Sequence, residues 1–316
     1  MLTANFHFFR SEMTPTTKQT VFGFLFAVTA TSIGGMTVAL TRLIISQSDP
    51  LSLAFLRYGI GGLVLTAILF AKGRPPKILS GDWPVIMALG VVMFAAFPYC
   101  MAKSLEDTTA ARGALIFAAM PIITSLLAAC FRIEKLTLRK TIAVLIAMAG
   151  TAIALSEQID EIAPNAFRGD IFMFMGTSCV SIFNVFSRKY LMRYGNLALN
   201  CYILFFGVST LFILALIFGR PFDGSLSFDA EAWFVIFLLS VPGGAVMFMS
   251  WGRALQLISP TQATIVTGFN PLTAILLGTW LLMEPVSIRL LAGFLLILIA
   301  IILASKNSKI TTQTSD

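Results

Sequence analysis

The sequence predicts an all-α membrane protein with ten transmembrane helices in two inverted five-helix repeats. Three observations carry that expectation. First, 57% of the 316 residues are hydrophobic and 12% charged, with mean hydropathy +0.88, whereas an ordinary soluble domain carries about 25% charged residues. Second, the chain is written twice. At a constant offset of 150 positions, Trp83 falls on Trp233, Val85 and Ile86 on Val235 and Ile236, Pro121 on Pro271, Glu134 on Glu284, Arg139 on Arg289 and Ala154 on Ala304. Upstream the offset is 146, so that Gly23 meets Gly169, Thr31 meets Thr177, Arg42 meets Arg188 and Gly61 meets Gly207. Third, lysines and arginines gather in alternate connecting segments, the asymmetry that orients helices in a bilayer.

An apolar stretch of about 20 residues spans the hydrocarbon core as a helix. Span one, 20–42, follows a polar tail and ends before Ser48-Asp49-Pro50. Span two, 51–71, stops at Lys72-Gly73-Arg74-Pro75-Pro76, a cluster of helix-breaking residues. Span three, 83–103, opens on Trp83, which reads as an interfacial ring. Span four, 110–131, carries Pro121, and span five, 138–155, follows Thr137 in the N-cap position. The second copy repeats the plan. Its spans are 169–188; 197–218, closed by Gly219-Arg220-Pro221; 232–253, opened by Trp233; 261–282, after Ser259-Pro260; and 287–304, capped by Ser287. Pro98, Pro121, Pro242 and Pro271, with the pairs Gly34-Gly35 and Gly243-Gly244, are expected to interrupt spans one, three, four, eight and nine.

Placing the N-terminus in the cytoplasm puts 15 lysines and arginines on the cytoplasmic side and 6 on the other, with Arg57 inside span two. That bias puts both termini in the cytoplasm. Five spans per copy is an odd number, so the second copy enters the membrane from the opposite side. The domain reading is a cytoplasmic tail at 1–19, a first five-helix repeat at 20–155, an external linker at 156–168, a second repeat at 169–304 and a cytoplasmic tail at 305–316. Inverted repeats around a midplane site are a hallmark of secondary transporters.

The chain resembles the EamA-type transporters of the drug/metabolite transporter superfamily. The matching residues are Pro50-Leu-Ser-Leu-Ala-Phe-Leu-Arg57 entering span two, Pro121 and Pro271, Glu134-Lys-Leu-Thr137 and Glu284-Pro-Val-Ser287 after them, and Gly169-Asp170 opening span six. The resemblance covers about 20–304. It implies a helical bundle in the bacterial inner membrane that transports small metabolites, often outward.

Arg57 is the one charged residue well inside a span. A charge at such depth costs about 2.5–3.5 kcal/mol on insertion scales, so it should face the interior or a wet cavity. Two readings stand side by side: an anchor for a substrate carboxylate or phosphate, or a guanidinium tying helix ends together. Asn184, Gln262 and Asn270 are uncharged polar groups that must find hydrogen-bond partners. Gln262 sits near the cytoplasmic end, which leaves Asn184 and Asn270 as substrate contacts or as interhelical glue. Tyr99, Tyr202 and Trp251 pair ring area with a polar handle. The expected binding set is therefore Arg57, Tyr99, Asn184, Tyr202, Trp251 and Asn270. The central cavity should be lined by spans one, two, three, six, eight and nine, with Asn184 and Asn270 exposed to it and Arg57 near its outer mouth.

Several functions are disfavoured. The lone histidine, His7, lies in the N-terminal tail, and all fifteen acidic residues lie in tails, loops or span ends. Intramembrane catalysis and metal binding therefore lack ligands, no cofactor is expected, and a cation pump relying on a membrane carboxylate has no group to work with. Cys100, Cys130, Cys179 and Cys201 read as small apolar residues. The expected function is non-enzymatic: alternating-access secondary transport of small organic metabolites across the cytoplasmic membrane, with export of amino acids or related zwitterions as the first reading. The alternative is import of a larger ring such as riboflavin, or of a nucleotide-linked compound. The expected partners are a small-molecule substrate and the lipid bilayer, with no nucleic acid, the protein acting as a monomer or weak oligomer.

Overall fold

A computed structural model describes residues 17–44, 47–107, 110–155, 166–219, 221–222, 228–282 and 288–305. Among these residues the secondary structure is helical, with no strand. The first half contains α1 (Thr17–Ile44), α2 (Pro50–Ala71), α3 (Trp83–Val91), α4 (Phe97–Asp107), α5 (Ala110–Phe117), α6 (Met120–Cys130) and α7 (Leu138–Leu155). The second half contains α8 (Ala166–Tyr194), α9 (Asn196–Phe218), α10 (Ala230–Ser240), α11 (Met247–Leu257), α12 (Pro260–Ile265), α13 (Phe269–Leu282) and α14 (Ile288–Ser305).

Among the described residues, six helical runs are long and apolar enough to cross a membrane: Thr17–Thr41, Pro50–Ala71, Trp83–Ser104, Phe167–Tyr194, Asn196–Phe218 and Ala230–Leu257. The chain is thus a multi-pass membrane protein. The stretches expected to form spans four and nine are each divided, into α5 and α6 and into α12 and α13. Helix α8 outruns the expected 169–188, because Arg188, Lys189 and Arg193 continue the helix beyond the apolar window and Arg193 finds an acidic partner at its end.

Local chemistry sets the helix ends. Asp49 Oδ1 accepts from the backbone N–H groups of Leu51 and Ser52 at 3.0 and 2.9 Å, and Pro50 stands at the first turn, where no donor is missed. Asp229 caps α10 through Ala232 N at 2.7 Å. Ser259 and Gln262 form a reciprocal capping box on α12. Thr137 accepts from Lys140 N at 3.3 Å, as its cap position predicts. Ser287 lies outside the described residues.

The prolines act in two ways. Pro242 sits in a π-helical turn, Val241–Val246, that joins α10 to α11, and a matching π turn, Val92–Ala96, joins α3 to α4 just before Pro98. The extra residue in each turn absorbs the lost hydrogen bond without ending the rod. Pro121 and Pro271 instead follow true breaks, at Ala118–Ala119 and at the 3₁₀ turn Val266–Gly268. The expected interruption at Gly34-Gly35 is absent: α1 is continuous, and Gly34 serves close packing against Asn270.

Helices α7 and α14 lie along each other and touch at Gly150, where an added Cβ would meet Gly293 O at 2.8 Å. Helices α2 and α9 form a second long pair. Helix α1 packs on α11 and α13, and α8 packs on α4 and α6. The centre is filled by the rings of Tyr58, Phe94 and Phe248, with centroids 4.7–6.0 Å apart in edge-to-face arrangements.

The connecting segments sort to two ends. At one end Gln47 Nε2 meets Asp229 Oδ2 at 3.4 Å, and Arg168 grips Asp107 through Nε and Nη2 at 2.6 and 2.7 Å. At the other, Asp82 accepts from Arg193 Nη1 at 2.6 Å and from the Tyr194 hydroxyl at 2.5 Å. There also Glu134 pairs with Lys140 at 2.7 Å and accepts from Thr261 N at 3.1 Å, while Gln262 Nε2 donates to Ala304 O at 2.8 Å.

The hydrogen bond from Arg168, reinforced by its charge against the opposing pull of burial, holds the Asp107 carboxyl below its ordinary value of 3.8. A depressed folded value contributes stability that is full above the unfolded value and is lost as pH falls through the lower folded one. The melting temperatures of the wild type and Asp107→Asn should therefore differ by a constant gap above about pH 5 and converge below about pH 4. A gap that widens on acidification would contradict this pairing.

Candidate functional site

Arg57 lies on α2, two turns into the helix that Asp49 caps. It is half-buried. Its Nη2 donates to Thr37 Oγ1 on α1 at 3.2 Å and to Gly243 O in the second π turn at 3.1 Å. Its Cζ sits 5.0 Å from the Tyr58 ring centroid, within cation–π range. Thr37 in turn donates to Gly34 O at 2.7 Å. A Cβ at 243 would fall on the Thr37 methyl group, so a larger residue there must displace the side chain that Arg57 holds. One guanidinium thus joins α1, α2 and the π turn, while its buried Nε–H has no partner among the described residues.

Asn270, on α13, packs against the same stretch of α1. A Cβ at position 34 would lie 3.1 Å from its Nδ2. Its side chain is half-buried, and its carbonyl accepts from Thr273 Oγ1 at 3.1 Å. Arg57 and Asn270 therefore flank residues 34–37 of α1.

A second cluster lies on α8. Thr177, Ser181 and Asn184 follow at spacings of four and three, so they share one helical face, and all three are fully buried. Asn184 Oδ1 accepts from Trp251 Nε1 at 2.9 Å, and its Nδ2 lies 3.7 Å from Met120 Sδ. Ser181 Oγ reaches Met120 O at 3.5 Å, and Arg188 Nε donates to Leu255 O at 2.9 Å. Thr124 and Ser187 are buried with hydroxyls that have no partner among the described residues. The expectation that Asn184 opens into a cavity is not met: its exposure is 0%, because the Trp251 indole satisfies it instead of water.

The two tyrosines stand apart from both clusters. The Tyr99 ring lies 5.3 Å from that of Phe218 on α9. The Tyr202 hydroxyl donates to Pro76 O at 3.2 Å, and its ring meets Trp83 edge-on at 5.3 Å. Tyr202 lines a side groove of about 280 Å³ with Phe70 and Phe206. The six sequence-selected residues thus resolve into two pairs, Arg57 with Asn270 and Asn184 with Trp251, and two outliers. Thr37, Tyr58 and the Thr177–Ser181 face were missed. The signal for the last was the four-then-three spacing to Asn184.

A larger cavity of about 590 Å³ is lined by α1, α2, the α8–α9 junction, the second π turn and α11, with Asn196, Arg253 and Gln256 on its wall. None of the six selected residues lines it. Among the described residues no cluster of His, Cys, Asp or Glu could hold a metal ion.

The Asn184–Trp251 bond has a measurable coupling. Trp251→Phe and Asn184→Leu each strand one partner, and the double substitution strands neither. The double-mutant cycle should give about 0.6–2 kcal/mol of coupling in detergent unfolding. Additive losses would show that the bond contributes nothing.

Comparison with known proteins agrees with this architecture. The profile of the EamA-like transporter family matches the chain twice, over residues 21–156 and 167–306. The uncharacterized transporter YyaM of Bacillus subtilis (strain 168) is 20% identical over 86% of this chain and 89% of its own length. A protein of Streptantibioticus cattleyicolor named a probable terminal-alkyne amino-acid exporter is 25% identical over 75% of this chain and 82% of its own. A solved crystal structure shares the fold with a TM-score of 0.76 and 20% identity, over 91% of this chain and 96% of that one.

Proposed function

Because the chain belongs to the EamA-like transporter family, we propose that it is a secondary transporter that moves small organic metabolites across the bacterial inner membrane by alternating access. The observation that carries this reading is the interchange symmetry of the packing. Helix α1 sits on α11 and α13 as α8 sits on α4 and α6, while α2 with α9 and α7 with α14 pair each helix with its own counterpart. The π turns fall at matching positions of the two halves, and so do the breaks ahead of Pro121 and Pro271. In this reading α5 with α6, α7, α12 with α13, and α14 complete ten spans. Residues 20–155 and 169–304 form two inverted repeats, and both termini are cytoplasmic. The working unit is a monomer or weak oligomer in the bilayer.

Export of amino acids or related zwitterions is the favoured direction and cargo. It is supported by the relative named a probable terminal-alkyne amino-acid exporter. In the same reading Arg57, Asn270, Asn184 and Trp251, with Tyr99 and Tyr202 further out, are the side chains that line the path as the halves move. A C-terminal alkaline phosphatase fusion should be inactive and a green fluorescent fusion bright. Inside-out vesicles should accumulate an apolar amino acid down an imposed gradient. An active phosphatase after Asp316 would overturn the topology, and vesicles that move no metabolite from a broad panel would overturn the function.

A further inference from the structure

The cavity of about 590 Å³ is a groove open on the side where Ile68 and Val246 are exposed, and its volume is that of a small-molecule site. One wall is a single helical face that runs from Ala245 in the π turn through Met249 to Arg253 and Gln256 on α11. The facing wall is apolar, built from Phe26 on α1 and Val64, Leu65 and Ile68 on α2. The polar groups gather at one end. There Asn196 and Gln256 spend their amide N–H groups on Met249 O and Leu191 O, at 2.6 and 2.7 Å. Arg253 is different. Its side chain is exposed, Nη1 donates to the neutral Gln256 Oε1 at 3.0 Å, and no acidic partner meets it among the described residues. Gly195, at a φ of 80°, turns the chain between α8 and α9 and leaves the mouth free of a bulky side chain. The far end stops at Val241 and Ala245 of the π turn whose Gly243 is held by Arg57.

We propose that this cavity is a binding site for organic acids with an apolar body, in which Arg253 takes the carboxylate and the α1–α2 wall takes the hydrocarbon or ring. The assignment rests on the transporter reading and narrows its cargo. Among the described residues no carboxylate lines the cavity, so an amino group on the ligand is tolerated but not read. An arginine fork holds a planar carboxylate in two places, and the apolar wall adds affinity in proportion to the surface it covers. The floor touches the π turn, a segment already relieved of regular helix bonding, so occupancy and movement of α11 are mechanically connected.

The test uses the full-length protein in phosphatidylcholine nanodiscs, with phenylacetate, phenylalanine and the uncharged phenylacetamide as probes. Phenylacetate and phenylalanine should bind alike, and phenylacetamide weakly. Arg253→Gln should weaken phenylacetate about tenfold or more, the loss of a charge-assisted pair, and leave phenylacetamide unchanged. Arg253→Lys should keep most of the phenylacetate affinity. Val64→Trp, which fills the cavity with Arg253 intact, should abolish binding of all three. Should Arg253→Gln fail to fold, the contrast between acid and amide on the wild type and the effect of Val64→Trp still decide the matter. Equal phenylacetate affinity in wild type and Arg253→Gln would overturn the proposal. So would a protein that ignores phenylacetate yet loses co-purified phosphatidylglycerol on the same substitution, because the cavity would then be a lipid site. Vesicle flux separates the two readings. Binding that depends on Arg253 without any transport defeats the transporter reading alone. Transport of phenylacetate or phenylalanine that is unaffected by Arg253→Gln defeats the binding assignment alone.

Discussion

Arg57→Ala should lower the stability of the purified protein by about 2–4 kcal/mol, the cost of stranding two buried acceptors. It should also abolish transport of every substrate alike. The acceptors are Thr37 Oγ1 and Gly243 O, both served by the two N–H groups of Nη2. Without it, α1 and the second π turn lose their common tie to α2. Arg57→Lys keeps the positive charge, but an ammonium lacks the planar fork. It should satisfy one acceptor, recover part of the stability and transport slowly. Chemical or thermal unfolding in detergent, run beside vesicle flux, reads both effects. A variant with wild-type stability and a KM raised only for carboxylates would instead make Arg57 a substrate anchor working through its unpartnered Nε–H.

The second large effect is expected at the crossing of α3 and α9. An added Cβ at Gly207 would fall on Gly90 O and on the Cβ of Phe94, and one at Gly90 would fall on Ile203 O. The obstacles are backbone and a core ring, so neither can swing aside. Gly207→Ala should cost about 1–3 kcal/mol or more, as overpacking does, and Gly207→Leu should yield no folded protein. The control is Gly62→Ala on α2, where the nearest atom lies at 3.6 Å. It should fold normally and keep transport. Fluorescence size-exclusion profiles of the three variants give the answer, and a monodisperse Gly207→Leu would refute the close crossing.

The candidate site was only partly legible beforehand. Arg57 stood out because a lone charge in an apolar run has few places to go. Its acceptors did not, since Thr37 lies 20 residues away on another helix and Gly243 lies 186 away. Asn184 and Trp251 were each noticed as polar groups at depth. That they satisfy each other depends on α8 and α11 meeting face to face, which no local spacing encodes. Tyr99 and Tyr202 were drawn in by residue type alone, and the packing turns Tyr202 toward the Pro76 carbonyl instead. Arg253 went unmarked because it read as one more orienting charge between apolar runs. It becomes notable only once α2 and α11 stand apart and leave a cavity between them.

By itself the sequence determined what depends on neighbours along the chain. The helices form where apolar runs must bury their backbone hydrogen bonds, Asp49, Thr137, Ser259 and Pro50 mark the ends through one-turn interactions, and the duplicated text makes the two halves alike. Tertiary structure decided everything that depends on which helix meets which. It settled that Pro242 is absorbed in a π turn whereas Pro121 and Pro271 follow breaks, that Gly34 packs on Asn270 rather than bending α1, and which polar side chains satisfy one another. The physical reason is range. Capping and hydropathy act within a few residues, whereas a polar group in an apolar interior takes whichever partner the helix packing brings within about 3 Å.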